Sequence, residues 1–186
     1  GFVPGTAAGT LIAITLWWSP AINRVLDPYL VVLNALPKIA LGPILIVWFG
    51  AGITSIIVMA LLISFVVTIM SVLAGFNEIT GEKQLLMKTL GASKLQIFTM
   101  VVLPASLPTI MNALKISVGM SWVGVIVGEY LVSKAGLGYL IVYGGQVFKL
   151  DLVMASIVVL CLLAALMYYG VAYMEKKLVK WRMHGG

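Results

Sequence analysis

Long apolar stretches dominate the chain and set its expected architecture. A helix that crosses a bilayer needs about 20 mostly apolar residues. Five stretches approach or reach that length, at residues 2–18, 29–49, 53–74, 104–127 and 152–174. Each is apolar throughout rather than alternating with a period of two, so the pattern predicts membrane-spanning helices and not barrel strands. The first stretch is of borderline length, and the second is interrupted by Pro37 and Pro43.

The composition supports the same architecture. Of 186 residues, 62% are hydrophobic and 10% are charged, with a mean hydropathy of +1.13. Soluble domains average about 25% charged residues, so the sequence excludes a soluble enzyme, a disordered protein and a coiled coil. We expect an all-α, polytopic transmembrane bundle that forms one domain over residues 1–186. Because the chain starts inside an apolar stretch, we also expect a further helix before Gly1.

The basic residues are distributed unevenly between the stretches. Nine of the 12 lysines and arginines lie in segments 19–38 and 77–103 or after Met174, whereas segment 128–151 holds two. Five spans would place the first three regions on one side of the membrane. Basic residues accumulate on the cytoplasmic side, so the 77–103 loop and the C-terminus are predicted to be cytoplasmic.

The 77–103 loop is predicted to begin with a short helix. Residues 80–90 are mostly good helix formers, with Glu82 near the start and Lys88 near the end, as the helix dipole favours. Gly91 then stands where a glycine in the left-handed conformation commonly ends a helix.

A second loop helix should follow directly. Ser93 and Gln96 have the spacing of a capping box, which marks a helix start. The apolar residues that follow predict that this helix enters the membrane at Leu103 and Pro104. The loop is therefore expected to be a short helix, a glycine turn and a second helix.

The first loop helix has apolar surface to bury. It carries Leu85, Leu86, Met87 and Leu90, although nearby charges hold it off the membrane. Such a helix can lie on the lipid surface or in a groove of a partner protein. Physical reasoning alone favours neither.

The same loop resembles a motif of type I ABC-importer permeases. That motif is Glu-Ala-Ala, three residues, Gly, nine residues, Ile, one residue and Leu-Pro. Gly91 and the segment Val101-Val102-Leu103-Pro104 keep its spacing, whereas Leu85-Leu86-Met87 occupy the Glu-Ala-Ala positions. Matches to the nitrate/sulfonate/taurine branch extend over nearly the whole chain: Asp27-Pro28, Leu36-Pro37, the segment 43–50, Leu90-Gly91-Ala92-Ser93, and Glu129 with the segment 136–139.

The resemblance implies the type I importer permease fold and a mechanical role. Two such subunits form a translocation path, and each loop helix sits in a groove of a cytoplasmic ATPase that drives transport. Gly91 would set the angle between the loop helix and the membrane helix. The implied coupling residues are Glu82, Leu85, Leu86, Met87, Leu90, Gly91, Ala92, Leu103 and Pro104.

The resemblance also implies the partners and the cell compartment. The chain would work in the inner membrane as a homodimer with ABC ATPase subunits and an external solute-binding protein, without nucleic acid. ATP and Mg would be bound by the ATPase, and this chain would bind no cofactor. It has no G-x-x-x-x-G-K-[ST] motif and is expected not to be an enzyme. The implied solute is a small anion such as a sulfonate, taurine or nitrate.

Six residues are candidates for the translocation path: Pro37, Pro43, Ser64, Thr68, Lys115 and Glu129. The two prolines predict either a broken helix that lines the path or a simple kink, with lining somewhat favoured. Ser64, Thr68 and Ser71 form one polar stripe, for which helix joining is favoured over pore lining.

The two charged candidates have structural alternatives. Lys115 lies inside a predicted span, where a charge is costly. It is either a positive element of an anion path or, as we favour, a structural residue that pairs with a carboxylate or helix end or extends toward the cytoplasmic surface. Glu129 is either a gate or relay residue or, as we favour, an anchor of the external loop.

Other features carry weaker hypotheses. Gly1, Gly5 and Gly9 repeat at a spacing that lets helices approach closely, within the bundle or between subunits, or the spacing arises by chance in a glycine-rich membrane protein. Cys161 and His184 are the only cysteine and histidine, so a cysteine or histidine metal site is not expected. The alternative functions are an ATPase-independent secondary transporter or channel that uses Lys115 and Glu129, and a membrane scaffold.

Overall fold

A computed structural model describes residues 2–79, 81–132 and 134–179, and the regular structure in these ranges is entirely helical. A 3₁₀ turn lies at Lys38–Leu41 and a π turn at Phe98–Val102. The α-helices are α1 Phe2–Trp18, α2 Pro20–Ala35, α3 Gly42–Phe49, α4 Ile53–Asn77, α5 Gly81–Thr89, α6 Lys94–Ile97, α7 Leu103–Val132, α8 Leu137–Gln146 and α9 Leu150–Val179. The expected all-α helical fold is confirmed.

Three helical segments are long and apolar enough to cross a membrane. They are α4, the continuous segment Lys94–Val132, and most of α9. Helix α1 is apolar but has only 17 residues. The long helices extend beyond the predicted stretches because their polar ends continue the helix outside the most apolar residues.

The predicted single span at 29–49 differs from the structure. Helix α2 starts already at Pro20, because Ser19 caps it by accepting a hydrogen bond from the Ile22 N–H. It then stops at Ala35, and the chain bends by 84° before residues 38–49. Leu36 is extended, as a residue before proline prefers, so Pro37 explains the break.

Helix α4 is the centre of the bundle and packs between α1 and α7. Small residues allow the close approach on both sides. A methyl group at Gly9 would lie 3.0 Å from Thr68 Cβ, and one at Gly128 would lie 2.9 Å from the Ile56 Cα. Gly5 and Gly9 therefore form a contact within the bundle, while Gly1 lies outside the described residues.

The periphery of the bundle is much less covered than its centre. Half of the most apolar part of α4 is buried within the chain, against 11% of that of α9. On α2, Leu30 is the one residue among the described helix positions that is buried. These outer apolar faces suit lipid or further protein.

Candidate functional site

The turn after α5 has the geometry of a glycine C-cap. Gly91 lies in the left-handed region with φ 79°. Its N–H donates to the Lys88 carbonyl at 3.0 Å, and the Ala92 N–H donates to the Met87 carbonyl at 3.0 Å. This pair of bonds is a Schellman motif. The predicted loop helix and its glycine stop are confirmed, with α5 at Gly81–Thr89.

The next helix starts with the predicted capping box. The Ser93 N–H donates to Gln96 Oε1 at 2.7 Å, and the Gln96 N–H donates to Ser93 Oγ at 3.3 Å. From Lys94 the chain remains helical to Val132, and Leu103 and Pro104 begin α7. The loop is therefore joined to a membrane helix without a flexible link.

The apolar residues of α5 and of the turn that follows it divide between two faces. Leu85, Leu86 and Leu90 are 61%, 62% and 74% exposed, and we call them the leucine patch. Met87 instead packs with Ala92 against the buried cluster that includes Phe76 and Phe98. The resemblance implies that Met87 contacts the ATPase, whereas in the structure its partly buried side chain packs α5 against the bundle.

Lys94 ties the loop to α1, a role that no pattern in the sequence predicts. Lys94 Nζ donates to the Trp18 carbonyl, at the end of α1. The same ammonium lies 5.7 Å from the Trp17 ring centroid and 5.5 Å from that of Trp18. The Trp17 ring in turn packs on Phe98 at 5.0 Å. These residues are far apart in sequence, and no local pattern connects them.

The prolines and hydroxyl groups occupy different surroundings. Pro37 lies at the 84° break, and Pro43 lies in the first turn of α3. Ser64 and Thr68 are fully buried, and Thr68 Oγ1 lies 2.7 Å from Ser117 Oγ on α7. This position favours helix joining over path lining for Ser64 and Thr68.

Both charged candidates have structural partners. Lys115 forms an ion pair with Glu175 of α9, and its ammonium lies 5.9 Å from the Tyr168 ring centroid. Glu129 Oε2 accepts a hydrogen bond of 2.7 Å from the Gly138 N–H. The carboxylate is also close to Gly136, which has φ 116°. Glu129 thus anchors the turn before α8.

The structure does not bring Lys115 and Glu129 together. They are 14 residues apart on α7, which corresponds to roughly 21 Å along the helix axis. Each is held by a group on a different element. This arrangement gives no support to an exchange of charge between them.

His184 lies outside the described residues, and the described ranges contain no cluster of three or more His, Cys, Asp or Glu side chains that could hold a metal.

The sequence profile of the binding-protein-dependent transport system inner membrane component family matches residues 5–180. The chain belongs to this family. It is 32% identical to the taurine transport system permease protein TauC of Escherichia coli (strain K12) over 95% of the chain and 64% of TauC.

Other relatives match at similar levels. The formylaminopyrimidine transport permease protein ThiX of Halalkalibacterium halodurans is 31% identical over 98% of the chain and 73% of ThiX. The putative aliphatic sulfonates transport permease protein SsuC of Bacillus subtilis (strain 168) is 31% identical over 98% of the chain and 66% of SsuC. The chain thus spans about two thirds of the length of these relatives.

The fold agrees with this family membership. A chain of the MetNI methionine ABC transporter, solved in inward-facing conformations, superposes with a TM-score of 0.79 at 19% identity. The superposition covers 94% of the present chain and 87% of the MetNI chain. The fold expected from the resemblance is therefore confirmed.

Proposed function

We propose that the chain is the permease subunit of an ATP-driven importer of a small solute with an anionic group, such as a sulfonate, taurine or nitrate. Two copies form the translocation path, an external solute-binding protein delivers the solute, and cytoplasmic ATPase subunits that bind ATP and Mg supply the energy. The relatives TauC and SsuC, which are named for taurine and aliphatic sulfonates, support a solute of the sulfonate class. Nitrate is the smaller alternative.

The leucine patch is the observation that carries the coupling role. Leu86 lies on α5, and Leu90 directly follows the end of α5. The Leu90 N–H still donates to the Leu86 carbonyl at 3.2 Å, so the two leucines lie one helical turn apart, with Leu85 beside Leu86. Burying one such side chain is worth about 1.5–3 kcal/mol. Three exposed leucines on a charged helix therefore favour a complementary apolar groove, and we assign that groove to the ATPase.

The connections between the leucine patch and α7 are suited to transmit a displacement of α5 to α7. The Schellman motif fixes α5 relative to α6, and the helical segment Lys94–Val132 continues from the loop through the membrane. Met87 and Ala92 hold the turn against the buried cluster. A displacement of α5 by the ATPase would therefore be passed to α7 rather than absorbed by the loop.

The proposal also gives roles to Glu82 and to the ion pair between α7 and α9. Glu82 is exposed in the first turn of α5, where it can contact a basic group of the ATPase. The 77–103 loop and the C-terminus lie on the cytoplasmic side in this proposal. The ion pair of Lys115 with Glu175 links α7 to the C-terminal end of α9.

The experiment is co-purification of the ATPase with Leu86→Asp and Leu90→Asp permeases. Each charge in the patch should lower ATPase retention and ATP-dependent taurine uptake at least tenfold, with normal permease levels in the membrane. Leu150→Asp is the matched control, because Leu150 is similarly exposed but begins α9. Undiminished ATPase retention by both patch variants would contradict the proposal.

A further inference from the structure

A cavity lies beside the loop helix α5, where α1 and α4 end and α2 begins. It has a volume of about 520 Å³. Sites for small molecules are commonly about 300–1,000 Å³, so the cavity can hold a small ligand or the headgroup of a lipid. Gln84 and Lys88 of α5 line it together with Trp17 of α1, Pro20 of α2 and Asn77 of α4.

The charged residues of this cavity wall have one sign. They are Lys88 on α5 and Lys94 at the start of α6, and none of the lining residues that the structure describes is acidic. In the described ranges, neither lysine forms an ion pair with a carboxylate. A cleft lined by charges of one sign attracts ligands of the opposite sign, so the cavity favours an anion.

The Lys94 ammonium is held in place and still has hydrogen-bond donors to offer. It donates to the Trp18 carbonyl and lies 5.7 Å from the ring centroid of Trp17, which also lines the cavity. An ammonium group has three N–H donors, and the carbonyl takes one of them. Because the side chain is already ordered, binding an anion there costs less conformational entropy than at a mobile lysine.

Two side-chain amides add further donors to the cavity wall. They belong to Asn77 and Gln84. Gln84 Nε2 donates to the Ile79 carbonyl at 3.4 Å, which uses one of its two hydrogens. Two ammonium groups and two amides can together satisfy more acceptor oxygens than a carboxylate has. A phosphate group has these additional oxygens, and lysine is a common phosphate ligand.

The position of the cavity points to a membrane lipid as the source of the phosphate. Trp17 and Trp18 end the apolar helix α1, and tryptophan prefers the interface between membrane and water, where headgroups lie. Trp17, Pro20 and Ile79 form an apolar part of the wall, which suits a glycerol backbone and the first carbons of an acyl chain. Basic pockets between membrane helices on the cytoplasmic side are typical sites for anionic headgroups.

We propose that this cavity binds a glycerophosphate group, the unit that an anionic phospholipid such as phosphatidylglycerol presents at the membrane surface. Lys88 and Lys94 bind the phosphate, and Asn77 and Gln84 bind the remaining oxygens. The headgroup thereby bridges α5 to the ends of α1 and α4 and ties the loop to the membrane. The leaflet that supplies the lipid rests on the cytoplasmic side given to the loop under the proposed function, whereas the headgroup chemistry does not.

The test counts lipid molecules bound to the whole permease. The protein would be purified in detergent, mixed with phosphatidylglycerol or phosphatidylcholine, and analysed by native mass spectrometry. We expect more phosphatidylglycerol than phosphatidylcholine to be retained. Lys88→Gln should lower the affinity for phosphatidylglycerol roughly tenfold, as expected for the loss of one hydrogen bond to a charged group. Lys88→Arg keeps the charge and should recover most of the binding.

Lys83→Gln is the matched control. Lys83 lies on the same helix but lines a different cavity of about 300 Å³, whose wall also contains the carboxylate of Glu78. This variant should bind phosphatidylglycerol like the unsubstituted permease. Lys83 and Lys88 are both exposed, so neither substitution should impair folding. Equal binding by Lys88→Gln and Lys83→Gln, or equal retention of the two lipids by the unsubstituted permease, would overturn the inference.

Soluble glycerol phosphate, added without lipid, identifies the source of the group. Binding of phosphatidylglycerol alone supports the lipid, whereas binding of glycerol phosphate that depends on Lys88 supports the same site with a soluble ligand. The measurement requires neither transport nor the ATPase. A failed lipid test therefore leaves the importer and the leucine patch standing, and a failed test of ATPase retention leaves the glycerophosphate site standing.

Discussion

The bundle centre and the loop helix use glycine in opposite ways. At the centre, Gly124 of α7 lets the helix backbone touch Ala60 of α4, and an added methyl group would collide with the Ala60 backbone. In the loop, Gly91 has open space around it but adopts φ 79°. The first glycine is needed for its small volume and the second for its conformation.

The two regions also differ in what they leave unsatisfied. Most buried hydroxyl groups of the described centre bond to one another or to their own helices, as Thr68 does with Ser117, whereas Ser121 Oγ makes no such bond. The loop is held by well-formed caps but leaves the leucine patch exposed. A well-capped loop that keeps the apolar leucine patch exposed indicates a surface that binds another protein.

The largest effect is expected at the loop glycine. Gly91→Val places a β-branched residue at positive φ, which it strongly resists. The turn between α5 and α6 should open, and taurine uptake per ATP hydrolysed should fall more than tenfold in reconstituted vesicles. Gly81→Val is the control, because Gly81 also has open space around it but begins helix α5 instead of ending it. Equal coupling ratios in the two variants would refute this role of Gly91.

The next largest effect separates two glycines of α7. Gly124→Ala overpacks the contact with α4 and should destabilise the permease by about 1–3 kcal/mol. Gly119→Ala, on the same helix with nothing within 4 Å, should be neutral or stabilising by up to about 1 kcal/mol. Denaturant unfolding in detergent measures both. Equal stability of the variants would show that close packing does not define the centre.

A smaller effect is expected where the two regions meet. Lys94→Met removes the charge that holds the Trp18 carbonyl and the two indole rings. An exposed cation–π contact is worth about 0.5–1 kcal/mol. We expect a two- to fivefold loss of uptake with normal ATPase retention, and partial recovery in Lys94→Arg. A loss of retention instead would place Lys94 in the ATPase contact.

The smallest effect lies inside the bundle. A double-mutant cycle of Thr68→Ala and Ser117→Ala should give a coupling free energy of about 0.6 kcal/mol, which is typical of hydrogen bonds between membrane helices. Transport should change little, because both residues are buried in helix packing. A large change in uptake with unchanged stability would instead support the path-lining interpretation of Thr68.

Local features were predictable from the sequence, and long-range ones were not. The end of α5 at Gly91 and the cap at Ser93 depend on neighbouring residues, so their patterns were sufficient. The family motif placed the loop helix without showing which way Met87 faces. The ion pair of Lys115 with Glu175 and the contact of Lys94 with Trp18 both depend on how helices far apart in the sequence pack together. Hydrophobic periodicity gives no information about that packing. The start of α2 was missed because the Ser19 cap precedes a stretch of mixed polarity.

The most direct test of the account is the accessibility of the leucine patch in an intact membrane. Leu86→Cys would be introduced into a Cys161→Ser permease, since Cys161 is exposed. The variant would then be labelled with a membrane-impermeant maleimide in right-side-out and in inverted vesicles. We predict labelling in inverted vesicles alone, with protection when the ATPase is bound. Labelling from the outside, or equal labelling with and without the ATPase, would contradict the coupling role of the loop.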